Sequence, residues 1–221
     1  MTPRELLGSA IVPGGGEELR LFRRGSDFMI VLDRNELMSS RMSGSEEALA
    51  VMTIERLGNR DAHLLIGGYG MGYTLRASGA ALSAKGKITV VELVPEIITW
   101  AKQFMAGLTA GCLDDPRVEL MIGDVADTIA IGQYDAILLD VDNGPDGLTR
   151  ASNNRLYSPR GLAAAKAALR PGGILAIWSA APDRAFARAL ADAGFAVDEV
   201  AVRARANGKG AKHIIWFATR R

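Results

Sequence analysis

Short apolar runs broken by turn residues fill the first part of the chain. Leu19-Arg20-Leu21-Phe22-Arg23 alternates loosely and breaks at Arg24-Gly25-Ser26-Asp27. Phe28-Met29-Ile30-Val31-Leu32 follows and closes at Asp33-Arg34-Asn35, and Pro13-Gly14-Gly15-Gly16 marks an earlier turn. This pattern predicts a small antiparallel β unit over residues 1–43. From Ser45 the rhythm changes. Ala48, Leu49, Met52 and Leu57 recur near helical spacing, so a helix is predicted over 45–58, with Gly44-Ser45-Glu46-Glu47 as its start.

Strand-like and helical segments then alternate through residues 44–221. Strands are predicted at 62–67, 87–92, 117–122, 134–140, 173–179, 196–203 and 212–219, and helices at 72–83, 94–106, 159–169 and 183–193. Such alternation gives a mostly parallel sheet covered on both faces. The last two strands are joined through Asn207-Gly208, a hairpin signal, so one terminal strand is expected to run antiparallel. The predicted fold class is α/β, a doubly wound seven-stranded domain preceded by the small β unit.

Composition narrows the function classes. Over 221 residues, 48% are apolar and 23% charged, which supports a sizeable core and disfavours disorder. The formal charge of +1 gives no field that would draw the protein to nucleic acid or to an anionic membrane. The basic residues of the last hairpin, Arg203, Arg205, Lys209 and Lys212, read as a solvated surface. The N-terminus lacks the apolar run of a signal peptide, and no stretch has the length of a membrane helix. A single cysteine, Cys112, excludes an intramolecular disulfide and a Cys-rich zinc site, and fits a cytoplasmic protein. His63 and His213 have no ligand-type neighbour at metal spacing and read as structural; Trp100 and Phe104, four apart on one helix, read as core.

The candidate chemistry lies at the ends of successive strands. His63-Leu64-Leu65-Ile66-Gly67 runs into Gly68-Tyr69-Gly70-Met71-Gly72 and then a helix. Glycines at 68, 70 and 72 permit unusual backbone angles and close approach of a ligand, and the helix beyond offers free N–H groups. The spacing departs from the G-x-G-x-x-G of a dinucleotide site. Glu92 closes the next strand, where a carboxylate can accept both hydroxyls of a ribose. Gly123-Asp124-Val125 ends the third. There Asp124 can accept from the exocyclic amine of adenine and the Val125 N–H can donate to a ring nitrogen; Asp124 can also cap the following helix. The fourth strand ends at Asp140-Val141-Asp142-Asn143-Gly144-Pro145. Those carboxylates and the amide could hold an amine, bind a metal or remove a proton, and a plain polar turn is the bland alternative.

Gly68 to Gly72, Glu92, Gly123-Asp124 and Tyr134 to Asp140 resemble the motifs of class I S-adenosylmethionine-binding proteins, and Leu169-Arg170-Pro171-Gly172-Gly173 is similarly placed before that fold's fifth strand. Thr74-Leu75-Arg76, the Asp-rich loop at 140 and the leading β unit resemble spermidine synthases in particular. The resemblance implies a transferase that takes S-adenosylmethionine or its decarboxylated form and a small-molecule amine. Asp140 is implied as base, Gly68, Gly70, Gly72, Glu92, Asp124 and Val125 as cofactor-binding residues, and Asp142 and Asn143 as substrate-binding residues, with no metal. A homodimer is an open alternative.

Departures from that family keep other readings open. Met71 stands where the family carries an acid in the glycine turn, Asn143 where it carries a second loop acid, and Gly44-Ser45-Glu46 where it carries Tyr-His-Glu. The tyrosine expected after the Asp loop falls near Leu162. A small-molecule methyltransferase and a nucleoside-binding subunit without turnover are the alternatives. Ser179-Ala180 after the next strand argues against a metal-dependent O-methyltransferase, which would want an Asp-Asn pair there.

Overall fold

The computed structural model describes residues 3–141, 154–205 and 207–221. Asp142 and Asn143 lie outside the described residues. Four strands come first: β1 (Glu5–Ile11), β2 (Glu18–Arg24), β3 (Asp27–Leu32) and β4 (Asn35–Ser39). They form an antiparallel sheet in chain order, with Gly25 taking φ +63° in the tight β2–β3 turn. The helix α1 (Gly44–Leu57) follows, then β5 (His63–Gly67), α2 (Tyr73–Ala81), β6 (Lys87–Glu92), α3 (Pro95–Gln103) and the short α4 (Ala106–Thr109). After these come β7 (Val118–Ile122), α5 (Val125–Ile131), β8 (Tyr134–Leu139), the short α6 (Asn154–Tyr157) and α7 (Pro159–Ala168). The chain closes with β9 (Leu169–Ser179), α8 (Arg184–Asp192), β10 (Phe195–Arg203) and β11 (Lys212–Arg220).

The second sheet has seven strands in the order β10-β11-β9-β8-β5-β6-β7. The five strands from β9 to β7 are parallel, and β11 runs antiparallel to both of its neighbours. Side-chain alternation along each strand explains why both faces must be covered. On β5, Leu64 and Ile66 pack to one side and Leu65 to the other; on β9, Ile174, Ala176 and Trp178 share the first side while Leu175 and Ile177 share the second. Leu49, Ala50 and Ile54 of α1 pack against the first side, and α1 ends where Gly58 turns to φ +62°. The β1–β4 sheet contributes Ala10, Val12, Leu19, Leu21, Ile30 and Leu32 to that same core. Burying one such Leu or Ile side chain stabilises the fold by about 1.5–3 kcal/mol.

Two sequence expectations need correction. The helix predicted over 94–106 stops at Gln103. Phe104 leaves the helical face there and is 37% exposed, whereas Trp100 is buried as expected. The fifth parallel strand begins at Leu169 rather than at 173, because Leu169 pairs with Tyr134 before a register shift carries the chain past Pro171-Gly172. Among the described residues, no helix is long and apolar enough to cross a membrane.

Candidate active site

The C-terminal ends of β5, β6 and β8 are tied together by backbone hydrogen bonds. The Gly68 N–H donates to the Val91 carbonyl (2.9 Å), the Asp140 N–H to the Gly67 carbonyl (3.1 Å) and the Gly123 N–H to the Glu92 carbonyl (2.9 Å). Parallel packing therefore brings the glycine turn, Glu92, Asp124 and Asp140 to one edge, where open α/β sheets place ligands. At Gly68, φ is +87° and a Cβ would lie 2.6 Å from the Asp140 carbonyl oxygen, so only glycine fits.

A cleft of about 820 Å³ opens at this edge. Its floor carries Gly68, Gly70, Glu92, Asp124, Val125 and Asp140, and its roof comes from the first sheet through Val12, Glu17, Leu19, Ile30, Leu37 and Met38. Gly72 is not on this lining. It takes φ +77° at the start of α2, beneath the Tyr69 ring and Thr109.

Glu92 is buried, and its carboxylate accepts from the backbone N–H groups of Tyr69 (2.9 Å), Gly70 (3.4 Å) and Val94 (2.9 Å). Burial raises its pKa, and these hydrogen bonds oppose the rise. Glu92 thus shapes the glycine turn as well as lining the cleft. Asp124 caps α5, accepting from the Ala126 N–H at 2.8 Å, and its other oxygen accepts from Arg155 at 2.8 Å. Glu17 has a carboxylate oxygen buried without a hydrogen-bond partner among the described residues.

A second cavity of about 570 Å³ adjoins the first at Met38, Gly70 and Asp140. It holds the residue that the sequence reading did not single out, Glu46 in the first turn of α1, together with Met71, Tyr73 and Trp178. Asp140 accepts from the Thr74 hydroxyl at 2.9 Å, and that hydroxyl also lies 3.4 Å from the Glu46 carbonyl. The Ser45 hydroxyl donates to the Glu46 carboxylate at 2.7 Å and lies 2.9 Å from His213 Nδ1. The one available signal for Glu46 was its place in the segment aligned with Tyr-His-Glu. His63 meets the Thr89 hydroxyl at 3.1 Å, far down the same sheet from this edge.

Burial first, and the nearby Asp140 charge second, raise the Glu46 pKa to about 7. Burial raises Asp140 to about 6 against the opposing Thr74 hydrogen bond. At neutral pH the two acids therefore share a site that resists a double negative charge. Stability should follow. Between about pH 4.5 and 7 the folded state holds protons that the unfolded chain has released, so stability falls as pH rises through that window. The loss is up to about 3 kcal/mol at 1.36 kcal/mol per pKa unit. Urea midpoints at pH 5 and pH 8 should show it, and Glu46→Gln should flatten the slope; an equal slope in the variant would refute this assignment.

Residues 42–183 match the profile of the Spermine/spermidine synthase domain, which covers more than half of the chain. The chain belongs to the spermine/spermidine synthase family. The polyamine aminopropyltransferase of Mycobacterium tuberculosis is 30% identical over 173 residues, which is 75% of this chain and 31% of that protein. The chain spans about a third of the length of that curated relative. A solved spermidine synthase in complex with the transition state analogue AdoDATO superposes with a TM-score of 0.75 at 19% identity, covering 98% of this chain and 72% of that one. Spermidine synthase from Thermotoga maritima gives 0.75 at 17% identity, over 98% and 73%. At these identities the structural likeness is one of fold, and the seven-stranded sheet with its small leading sheet is the fold of spermidine synthase. The glycine turn at 68–72 and Asp140 both fall within the family match.

Proposed function

We propose that this chain transfers an aminopropyl group from decarboxylated S-adenosylmethionine to a small amine, with Asp140 as the base. The observation that carries the reading is the charge of the joined cavities. Glu17, Glu92, Asp124 and Asp140 line the first and Glu46 the second, and no basic side chain is among the described residues that line either. Clefts of one sign concentrate ligands of the other, and both the donor's sulfonium and the acceptor's ammonium are cations. Family membership and the names of the relatives point the same way.

On this reading the floor binds the nucleoside: Glu92 takes the ribose hydroxyls, Asp124 the adenine amine and the Val125 N–H a ring nitrogen. The apolar roof excludes water from the reacting carbon. The acceptor lies in the second cavity, where Asp140 holds its ammonium and takes a proton, leaving a lone pair to attack the carbon beside sulfur. Asp142 and Asn143, the other substrate-binding candidates, lie outside the described residues. The group fits the residues present without a metal.

Met71, buried in the glycine turn where the family carries an acid, favours a second reading. Without that acid the donor's free amino end loses a partner, discrimination against intact S-adenosylmethionine weakens, and methyl transfer becomes the competing reaction. Calorimetry with S-adenosylmethionine, its decarboxylated form and methylthioadenosine should show binding, with the two donors within about a hundredfold, or about 2.7 kcal/mol. Product analysis with a panel of amines should show aminopropyl adducts. Failure of all three nucleosides to bind at millimolar concentration overturns the nucleoside reading. Methylated products alone would move the protein to the second reading, and binding without any product to a non-catalytic subunit.

A further inference from the structure

Aminopropyl transfer releases one proton per turnover. An ammonium gives a proton to Asp140; the amine's lone pair then forms the C–N bond while the C–S pair leaves to sulfur, and the product is a secondary ammonium beside a neutral thioether. Before the next cycle Asp140 must lose that proton from a cavity that both substrates fill. The geometry points to a proton wire that starts at Glu46, which shares the second cavity with Asp140, and runs through the Ser45 hydroxyl to His213 on β11. This inference rests on the proposed transfer for its purpose but not for its existence.

Two hydrogen-bonded links carry it, one between neighbours on α1 and one from α1 to β11, 168 residues away; Asp140 faces Glu46 across the second cavity. Ser45 is fully buried, with Glu46 at 2.7 Å on one side and His213 Nδ1 at 2.9 Å on the other. The start of α1 is fixed there because the Gly44 N–H donates to the Ala204 carbonyl at 3.0 Å, which ties α1 to the end of the β10–β11 hairpin. His213 packs its ring edge-on to Trp178, with centroids 4.7 Å apart, and is itself partly exposed. With Glu46 protonated, its O–H donates to Ser45 and the Ser45 O–H to Nδ1 of a neutral ring. Passing both protons along leaves Glu46 ionised and His213 as imidazolium, which then releases the Nε2 proton to water.

Among the described residues, the surroundings supply no competing route. Glu46 is faced by Asp140 from β8, by Glu47 on its own helix and by Tyr73 from α2, whose pKa burial raises to about 12; Arg76 of α2 is paired with Glu47. His213 is faced by Ser45 from α1, Trp178 from β9 and, across the ladder, Val202 from β10, none of which titrates near neutrality. Burial lowers the His213 pKa, so the ring is neutral and ready to accept.

Two measurements test the wire. The first follows the His213 ring C–H resonance by NMR from pH 5 to 9 in the unliganded protein. The wild type should show a step near pH 7 that mirrors the titration of Glu46. Glu46→Gln and Ser45→Ala should each abolish that step, and its absence in the wild type or persistence in both variants overturns the wire. The second is steady-state kinetics. His213→Ala should lower kcat about tenfold, toward the lower end of proton-transfer effects, with both KM values within about twofold and with recovery in added imidazole. Ser45→Ala should lose a similar factor without recovery, since its break lies before the histidine. An unchanged kcat, or a loss in His213→Ala that imidazole does not restore, overturns the wire. If no amine is turned over but the coupled step is present, the transfer reading falls and the wire stands.

Discussion

Replacing Asp140 by Asn is expected to reduce turnover by at least about 10²-fold, within the range that a general base contributes, while nucleoside affinity changes little. The substitution isolates charge from shape. Asn keeps the side-chain volume, the backbone bond from residue 140 to the Gly67 carbonyl is untouched, and the Thr74 hydroxyl can still donate to an amide oxygen. What disappears is the carboxylate that, among the described residues, lines both cavities and can take a proton from an ammonium. An ammonium has no lone pair with which to attack, so positioning alone cannot replace this step. In the unaltered protein, the proposed turnover should rise with pH through the range where Asp140, with its pKa of about 6, becomes ionised. Steady-state kinetics with an amine acceptor, paired with calorimetry for the nucleoside, decides the matter. Near-normal turnover in Asp140→Asn would remove this residue from the chemistry and favour methyl transfer driven by proximity.

Glu92→Ala should cost the fold about 2–5 kcal/mol, since each buried donor left unpaired costs about 1–3 kcal/mol. The wild-type carboxylate satisfies Tyr69, Gly70 and Val94, so alanine orphans backbone groups on both sides of the cleft floor. Nucleoside binding should weaken by a further 1.5–3 kcal/mol or so, the scale of a hydrogen bond to a charged group. Glu92→Gln should be milder in stability, because its amide oxygen serves one side while its NH₂ group opposes an N–H on the other. Urea midpoints for both variants, with methylthioadenosine titrations on whichever remains folded, separate the two effects. A stability loss below about 1 kcal/mol in Glu92→Ala would mean that the turn does not depend on this acceptor.

Much of the large sheet was legible because its information is local. Leu64-Leu65-Ile66 and Ile174 to Trp178 are apolar on both faces, and glycines or acids stop them where the strands end. The placement of Glu92, Asp124 and Asp140 was legible for the same reason: each lies at or just beyond the end of a strand, and parallel strands end together. The remainder of the site is carried by packing. Ser45 and His213 are 168 residues apart and meet only because the last hairpin folds against the start of α1. Leu19, Leu37 and Met38 belong to strands whose alternation announces a sheet but not what the sheet covers. Phe104 misled because its spacing from Trp100 is helical, while the helix itself ends one residue before it.

The β1–β4 sheet has one further consequence. It shares its apolar core with the large sheet and overhangs the cleft with side chains such as Val12, Leu19 and Ile30, whereas Glu92, Asp124 and Asp140 sit below at the edge of the other sheet. Roof and floor are thus encoded in separate stretches of the chain. Exchanges among aliphatic side chains above can widen, narrow or deepen the space offered to a guest without moving a carboxylate below. In a lineage under selection for new acceptors, size preference and bond-making machinery can drift on independent schedules.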